Sequence, residues 1–167
     1  MKKTMTLVTL SVMLLMASCG KKENAENTNS DNPFLQTWDT PYGVPPFEKI
    51  KPEHYLPAFE EGMKQQKAEI DAIIKNRAVP DFQNTILAYD KSGELLDKVG
   101  NIFFNLMECS SNEEMQKIAA EIMPKMSAHG DEISMNPLLF EKVKYVYDNR
   151  HNMNLDDQQI RVTEKYY

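Results

Sequence analysis

Residues 50–74 read IKPEHYLPAFEEGMKQQKAEIDAII, and this stretch decides the fold class. Its apolar residues Tyr55, Phe59, Met63, Ile70 and Ile73/Ile74 recur at three- and four-residue steps, which places them on one face of a helix. Glu60, Lys64, Lys67 and Asp71 fall on the other faces. Pro52 and Pro57 mark the entry, because proline suits a first turn whose N–H groups lack partners anyway. The run Asn76-Arg77-Ala78-Val79-Pro80 ends the helix.

The same period continues downstream. Asp81 opens the next element, with Asn84 and Thr85 also able to cap it. Ile86, Tyr89, Leu96, Val99, Phe103 and Leu106 hold helical spacing through Met107, while Leu87, Leu95, Ile102 and Phe104 widen the stripe. A stripe that wide implies burial on more than one side. Gly93 and Gly100 lie inside it at about 1 kcal/mol each relative to alanine, which points to close helix approach. Ser111 with Glu114 fits a capping box. The helix it starts carries Met115, Ile118, Ala119, Ile122, Met126 and Ile133, and Pro124 is expected to kink or split it.

Asn136-Pro137 closes that helix. Leu138, Leu139, Phe140, Val143, Val146 and Tyr147 form a fourth. Asn154, followed by Asp156 and Asp157, begins a fifth at Leu155, which carries Ile160, Thr163, Glu164 and Tyr167. No strand-like alternation is present, so the expected class is all-α, with about four to five amphipathic helices. The fifth helix is entered without an exit signal, and an N-terminal piece of a longer protein is expected.

Upstream, residues 32–49 interleave Phe34, Leu35, Trp38, Tyr42, Val44 and Phe47 with Pro33, Pro41, Pro45 and Pro46. Prolines forbid a regular helix and the aromatics need burial, so an extended segment lying across the helices is expected. Residues 19–31 (CGKKENAENTNSD) are polar and read as a flexible tether. Residues 1–18 have the form of a signal peptide: Lys2-Lys3, an apolar run from 5 to 16, then Ala17-Ser18. At about a dozen residues that run is shorter than the roughly 20 a bilayer span needs. Leu15-Met16-Ala17-Ser18-Cys19 is similar to the lipobox of bacterial lipoproteins, which makes Cys19 the acylated residue and the membrane a partner. Cys109 then has no disulfide partner, and a small buried residue near a helix end is its expected role.

The net charge is −6, and loss of Lys2 and Lys3 with the leader leaves 17 basic against 25 acidic residues, or −8. With no basic patch, nucleic acid is excluded as a partner. Eleven methionines fit gap-filling in a helical core. The three histidines, His54, His129 and His151, lack the four-residue spacing on one helix that aims two imidazoles at one metal. His54 belongs in the first turn of its helix with a local hydrogen bond. Glu60-Glu61 and Glu113-Glu114 are adjacent on helices and so face apart, or serve a helix start. No catalytic or metal-binding residue is assigned in this chain.

Several pieces, in order, carry a resemblance: NPF at 32–34, IKPEHYLPAFEEGM at 50–63, PDFQNTILAYDKSGELL at 80–96, NPLLFEKVKYVYDNR at 136–150 and LDDQQIRVTEKY at 155–166. Together they resemble the N-terminal region of the zinc oligopeptidases of the thimet-oligopeptidase and peptidyl-dipeptidase family. The resemblance covers residues 32–167. It implies two helical lobes around a deep channel that admits short peptides and excludes folded proteins. It also implies zinc, held by a His-Glu-x-x-His motif and a downstream Glu, with the motif Glu activating a zinc-bound water against the peptide carbonyl. The peptidyl-dipeptidase branch releases C-terminal dipeptides. None of that zinc motif lies in this chain, so its helices would wall the channel and the chain alone would be inactive. The lipoprotein leader implies the cell envelope, on the periplasmic side. The rival expectation is a non-catalytic helical lipoprotein that binds peptides or partners.

Overall fold

The protein is described here from a computed structural model covering residues 31–167; the leader, Cys19 and all of the tether except Asp31 lie outside the described residues. Among the described residues there is no strand, and five helices have ten residues or more. They are α1 (Tyr55–Lys75), α3 (Glu94–Ser110), α4 (Glu113–Ser134), α5 (Pro137–Asn149) and α6 (Asp157–Tyr166); a short α2 (Ala88–Asp90) follows a π-helical turn at Phe82–Leu87. No helix among them is long and apolar enough to cross a membrane.

The spine is α1, which packs against α2, α3, α4 and α5. A 3₁₀ turn, Pro52–His54, leads into it, and the Lys51 N–H donates to His54 Nδ1 at 3.1 Å, the local bond expected of that histidine. Pro57 is accommodated in the first turn of α1, so both prolines serve the entry. Two clusters of buried side chains lie along the spine. The first gathers Phe34, Tyr55, Phe59, Leu96, Val99, Phe103, Met115, Ile118 and Ile122. Its rings meet edge-on or tilted, with Tyr55–Phe103 centroids 4.9 Å apart and Phe59–Phe103 5.5 Å. The second gathers Ile70, Ile73, Phe82, Ile86, Ile133, Leu139, Val143 and Val146. Each fully buried aliphatic or phenyl side chain contributes about 1.5–3 kcal/mol, so the two clusters dominate stability.

The close approach of two helices falls at Gly62 rather than at Gly93 or Gly100. A Cβ on Gly62 would stand 3.0 Å from the backbone N and Cα of Leu96, whereas one on Gly100 would meet only side chains at 3.9 Å. Gly93 is not inside a helix. With φ +84° it breaks the chain between α2 and α3, so the single helix expected from residue 81 to 107 is two elements. The break is held from α1, where Glu69 accepts the Gly93 N–H at 2.8 Å and Gln66 Nε2 donates to the Ser92 carbonyl.

The starts of three helices shift from their expected residues. Asp81 does cap its element, in a reciprocal pair with Asn84. At α4 the cap is Asn112, whose Oδ1 accepts the Met115 N–H at 2.9 Å; Ser111 lies one residue too early and points to Met107 and Gln116 instead. Asn136 does more than end α4, for its Oδ1 accepts the Leu138 and Leu139 N–H groups and opens α5 with Pro137 behind it. At α6 the cap is Asp156, in a capping box with Gln159, while Asn154 sits in the left-handed turn before it at φ +55°.

Pro124 does not split α4, which runs unbroken from Glu113 to Ser134. Both Pro124 and Ala120, whose carbonyl loses its partner, are exposed, so that carbonyl is not shut away from solvent. Replacing Gly62 with alanine is expected to destabilise the chain by about 1–3 kcal/mol, since backbone rather than a movable side chain blocks the new methyl. Gly130→Ala, in open space on α4, is expected to stabilise it by about 0.5–1 kcal/mol. Urea melts of both variants check the pair.

Candidate functional site

The segment 32–49 does not bury all its apolar side chains. Phe34 is buried and Trp38 half-buried, but Tyr42, Val44 and Phe47 are exposed, the first two in and just after the proline-led turn Pro41–Gly43. Asn32 seats the segment. It is buried, its Oδ1 accepts the Phe34 N–H at 3.1 Å, and its Nδ2 donates to the His54 carbonyl at 2.9 Å. An unpaired buried amide would be costly, so this motif fixes where the segment meets the entry of α1.

Between that segment and the outer sides of α1 and α3 lies an open groove of about 870 Å³. Phe34, Leu35, Trp38 and Leu95 give it an apolar surface, and Glu61, Glu69 and Glu94 line its walls. Lys98 holds it together. Its Nζ lies 3.7 Å from the centre of the Trp38 ring and donates to the carbonyls of Phe34 at 3.1 Å and Gln36 at 3.3 Å. The Trp38 Nε1–H donates to the Pro33 carbonyl at 2.7 Å, which fixes the ring. Burial lowers the pKa of Lys98, against a smaller opposing pull from Glu94. Hydrogen bonds from Lys64 and then Gln65 hold the Glu61 carboxyl below its ordinary value.

The histidines are dispersed. His54 accepts the Lys51 N–H in the turn before α1, His151 is exposed in the turn Arg150–Asn152, and His129 pairs its Nε2 with Gln66 Oε1 at 2.8 Å. Since that amide oxygen only accepts, Nε2 carries the proton. Burial lowers the pKa of His129, with Glu132 opposing and Lys67 assisting. The glutamate pair of α1 does face apart: Glu60 binds Lys125 of α4, and Glu61 binds Lys64 and Gln65. Among the described residues no three His, Cys, Asp or Glu side chains are grouped to hold a metal. Cys109 is exposed, contrary to the expected burial. It lies at the outer end of a row with Ile102 and Leu106, of which Ile102 belongs to the first buried cluster and Leu106 packs against it. The groove was not legible in the sequence, since Lys98 and the glutamates look like ordinary solvated helix positions. The groove therefore presents an apolar floor, three carboxylates and one ammonium.

An all-α helical region with an open, carboxylate-lined groove is the class that the fold defines. No family model matches the chain. Over 135 residues it is 39% identical to the dipeptidyl carboxypeptidase of Salmonella typhimurium, a match covering 81% of this chain and 20% of that protein. It is 41% identical over 133 residues to the dipeptidyl carboxypeptidase of Escherichia coli, covering 80% of this chain and 20% of the relative. More distantly, it is 20% identical over 133 residues to oligopeptidase A of Salmonella typhimurium, covering 80% and 19%. The chain belongs to the peptidyl-dipeptidase and thimet-oligopeptidase family. The matched part spans about a fifth of the length of these curated relatives.

Two predictions follow from the groove and from His129. Trp38 is the chain's single tryptophan. Lys98→Met is expected to shift its fluorescence to the red, raise its quenching by acrylamide and cost roughly 1 kcal/mol in a urea melt. Because the folded pKa of His129 is lowered, the unfolded chain takes up its proton first on acidification. Stability should fall as the pH drops through about 6.5 and level off below the folded pKa. The same series on His129→Asn should lose that component.

Proposed function

We propose that this chain is the N-terminal helical part of an exported zinc peptidyl-dipeptidase, which hydrolyses short peptides and releases C-terminal dipeptides. The observation that carries this is the 39–41% identity, over four-fifths of the chain, to two proteins named dipeptidyl carboxypeptidase. The order of the quoted motifs supports the same branch.

The described residues do not fit the zinc that the family implies. His54 Nδ1 and His129 Nε2 are engaged in hydrogen bonds within the fold, and no third donor stands beside either. No step of the hydrolysis is assigned to them. Zinc and the catalytic groups belong, in this reading, to the part of the parent enzyme that this chain does not match. What these helices supply is wall and shape: a rigid pair, α1 and α3, with a carboxylate-lined groove along its outer side. Short peptides are the proposed substrates. The leader supports a place in the cell envelope, anchored through acyl chains on Cys19 and facing the periplasm.

Antibody against residues 82–96 is expected to detect a native product several times heavier than the 19.3 kDa of this chain. That product, once purified, should bind zinc, release dipeptides from the C-terminus of short peptides and lose activity to a chelator. A heavy product with neither zinc nor dipeptide release would defeat the enzyme reading. A native band near the mass of this chain would favour a non-catalytic, peptide-binding lipoprotein. Cys19→Ser should abolish incorporation of labelled fatty acid.

A further inference from the structure

The carboxylates of the groove are not matched by its cations. Glu61, Gln65 and Glu69 stand at four-residue steps on α1 and form one ridge, about 12 Å long by the rise of a helix. Lys64 meets the charge of Glu61 at 2.9 Å. Glu69 and Glu94, in contrast, are in no ion pair among the described residues. Glu69 accepts the Gly93 N–H at 2.8 Å, and Glu94 is the next residue, so α1 and α3 bring two carboxylates to one end of the groove. Lys98, the one cation lining the groove among the described residues, is committed to the Phe34 and Gln36 carbonyls and to the Trp38 ring. Like charges brought together repel, and a cation placed between them removes that repulsion and gains both attractions.

The apolar floor starts within one helical turn of that end. Leu95 follows Glu94, and Lys98, which carries Trp38 over it, stands four residues on, about 6 Å along α3. The Trp38 ring is fixed by its bond to the Pro33 carbonyl, so the floor is preformed. In an extended peptide, side chains two residues apart share a face at roughly 7 Å, which matches the step from the carboxylates to the indole. The ridge on α1 spans about three or four residues of such a peptide. A groove of about 870 Å³ has room for them.

We propose that the groove binds short extended peptides, with a cationic amine at the Glu69–Glu94 end and an apolar side chain against Trp38 and Leu95. That the occupant is a peptide rests on the peptidase reading above; the amine and the apolar side chain are set by the groove itself. A peptide's C-terminal carboxylate is repelled from the same end. A lysine side chain and a free α-amine share the required chemistry, and the probes below separate them.

Trp38 reports occupancy in the 167-residue chain, which has no other tryptophan. Titration with acetyl-lysyl-alanyl-leucine amide should change its emission saturably. The neutral norleucyl analogue, of similar shape, should bind at least about tenfold more weakly, and added salt should weaken only the lysyl peptide. Alanyl-alanyl-leucine amide carries the α-amine alone: affinity equal to or above that of the lysyl peptide assigns the end to a peptide's N-terminus, and lower affinity assigns it to the side chain. Glu94→Gln should weaken the lysyl peptide roughly fivefold and leave the norleucyl one unchanged. Its urea melt should match that of the unchanged chain, since the Glu94 carboxylate accepts no hydrogen bond among the described residues. Equal affinities for the lysyl and norleucyl peptides would overturn the site. So would a longer native product that releases dipeptides but whose KM ratio for lysyl over norleucyl substrates is untouched by Glu94→Gln; the peptidase reading would then stand. Charge-selective binding to this chain, beside a longer product without dipeptide release, would keep the groove and overturn the peptidase reading.

Discussion

The approach of α1 to α3 at Gly62 is the constraint on which the rest of the structure depends. With no side chain at that position, the backbone of Leu96 in α3 packs directly against α1, leaving no room for a Cβ on Gly62. That distance lets Tyr55, Phe59 and Phe103 interlock above the contact. It also brings Glu69 and Gln66 within reach of the break at Ser92 and Gly93. The break in turn sets the direction in which α3 leaves, and so where Lys98 stands to hold the Phe34–Trp38 segment. Closeness at one glycine thus propagates to both ends of the groove.

The helical register was legible because burial imposes a period that composition cannot hide. Every apolar position read on residues 55–74 except Met63 and Ile74 is buried, and those two pack against the clusters' edges. The start of α1 and the Asp81 cap could be read for the same reason: each uses a side chain whose local geometry has few alternatives. The misreadings share a different cause. Gly93 and Gly62 are indistinguishable in sequence, but one needs a left-handed backbone and the other a close neighbour, and both are tertiary facts. Ser111 and Asn112 are adjacent cap formers, and which one serves depends on where α3 releases the chain. Pro124 looked disruptive because a lost hydrogen bond is costly when dry; on a solvent face it is cheap. Cys109, Tyr42, Val44 and Phe47 were read as buried because apolar residues usually are, a rule that runs only one way.

The site tells a parallel story. The dispersal of the three histidines was readable from their spacing, which puts no two of them on one helix face. The groove itself was not, since it arises where an irregular segment crosses two helices, and its key contacts join residues some sixty positions apart. A lysine with its ammonium over an indole and on two carbonyls has no sequence pattern. It serves as a staple, and its lowered pKa is the cost of holding a charge in that half-dry corner.

The two buried clusters have an order in time as well as in space. The first draws on Phe34 through Ile122, with Met126 at its edge, while the second waits for Ile133, Leu139, Val143 and Val146. A chain that emerges from its N-terminus can therefore close the first cluster while α5 is still to come. During that interval Ile70, Ile73, Phe82 and Ile86 have no cover. Vectorial synthesis would leave this half of α1 as the sticky face of the nascent protein, and the arrival of α5 as the event that ends its exposure.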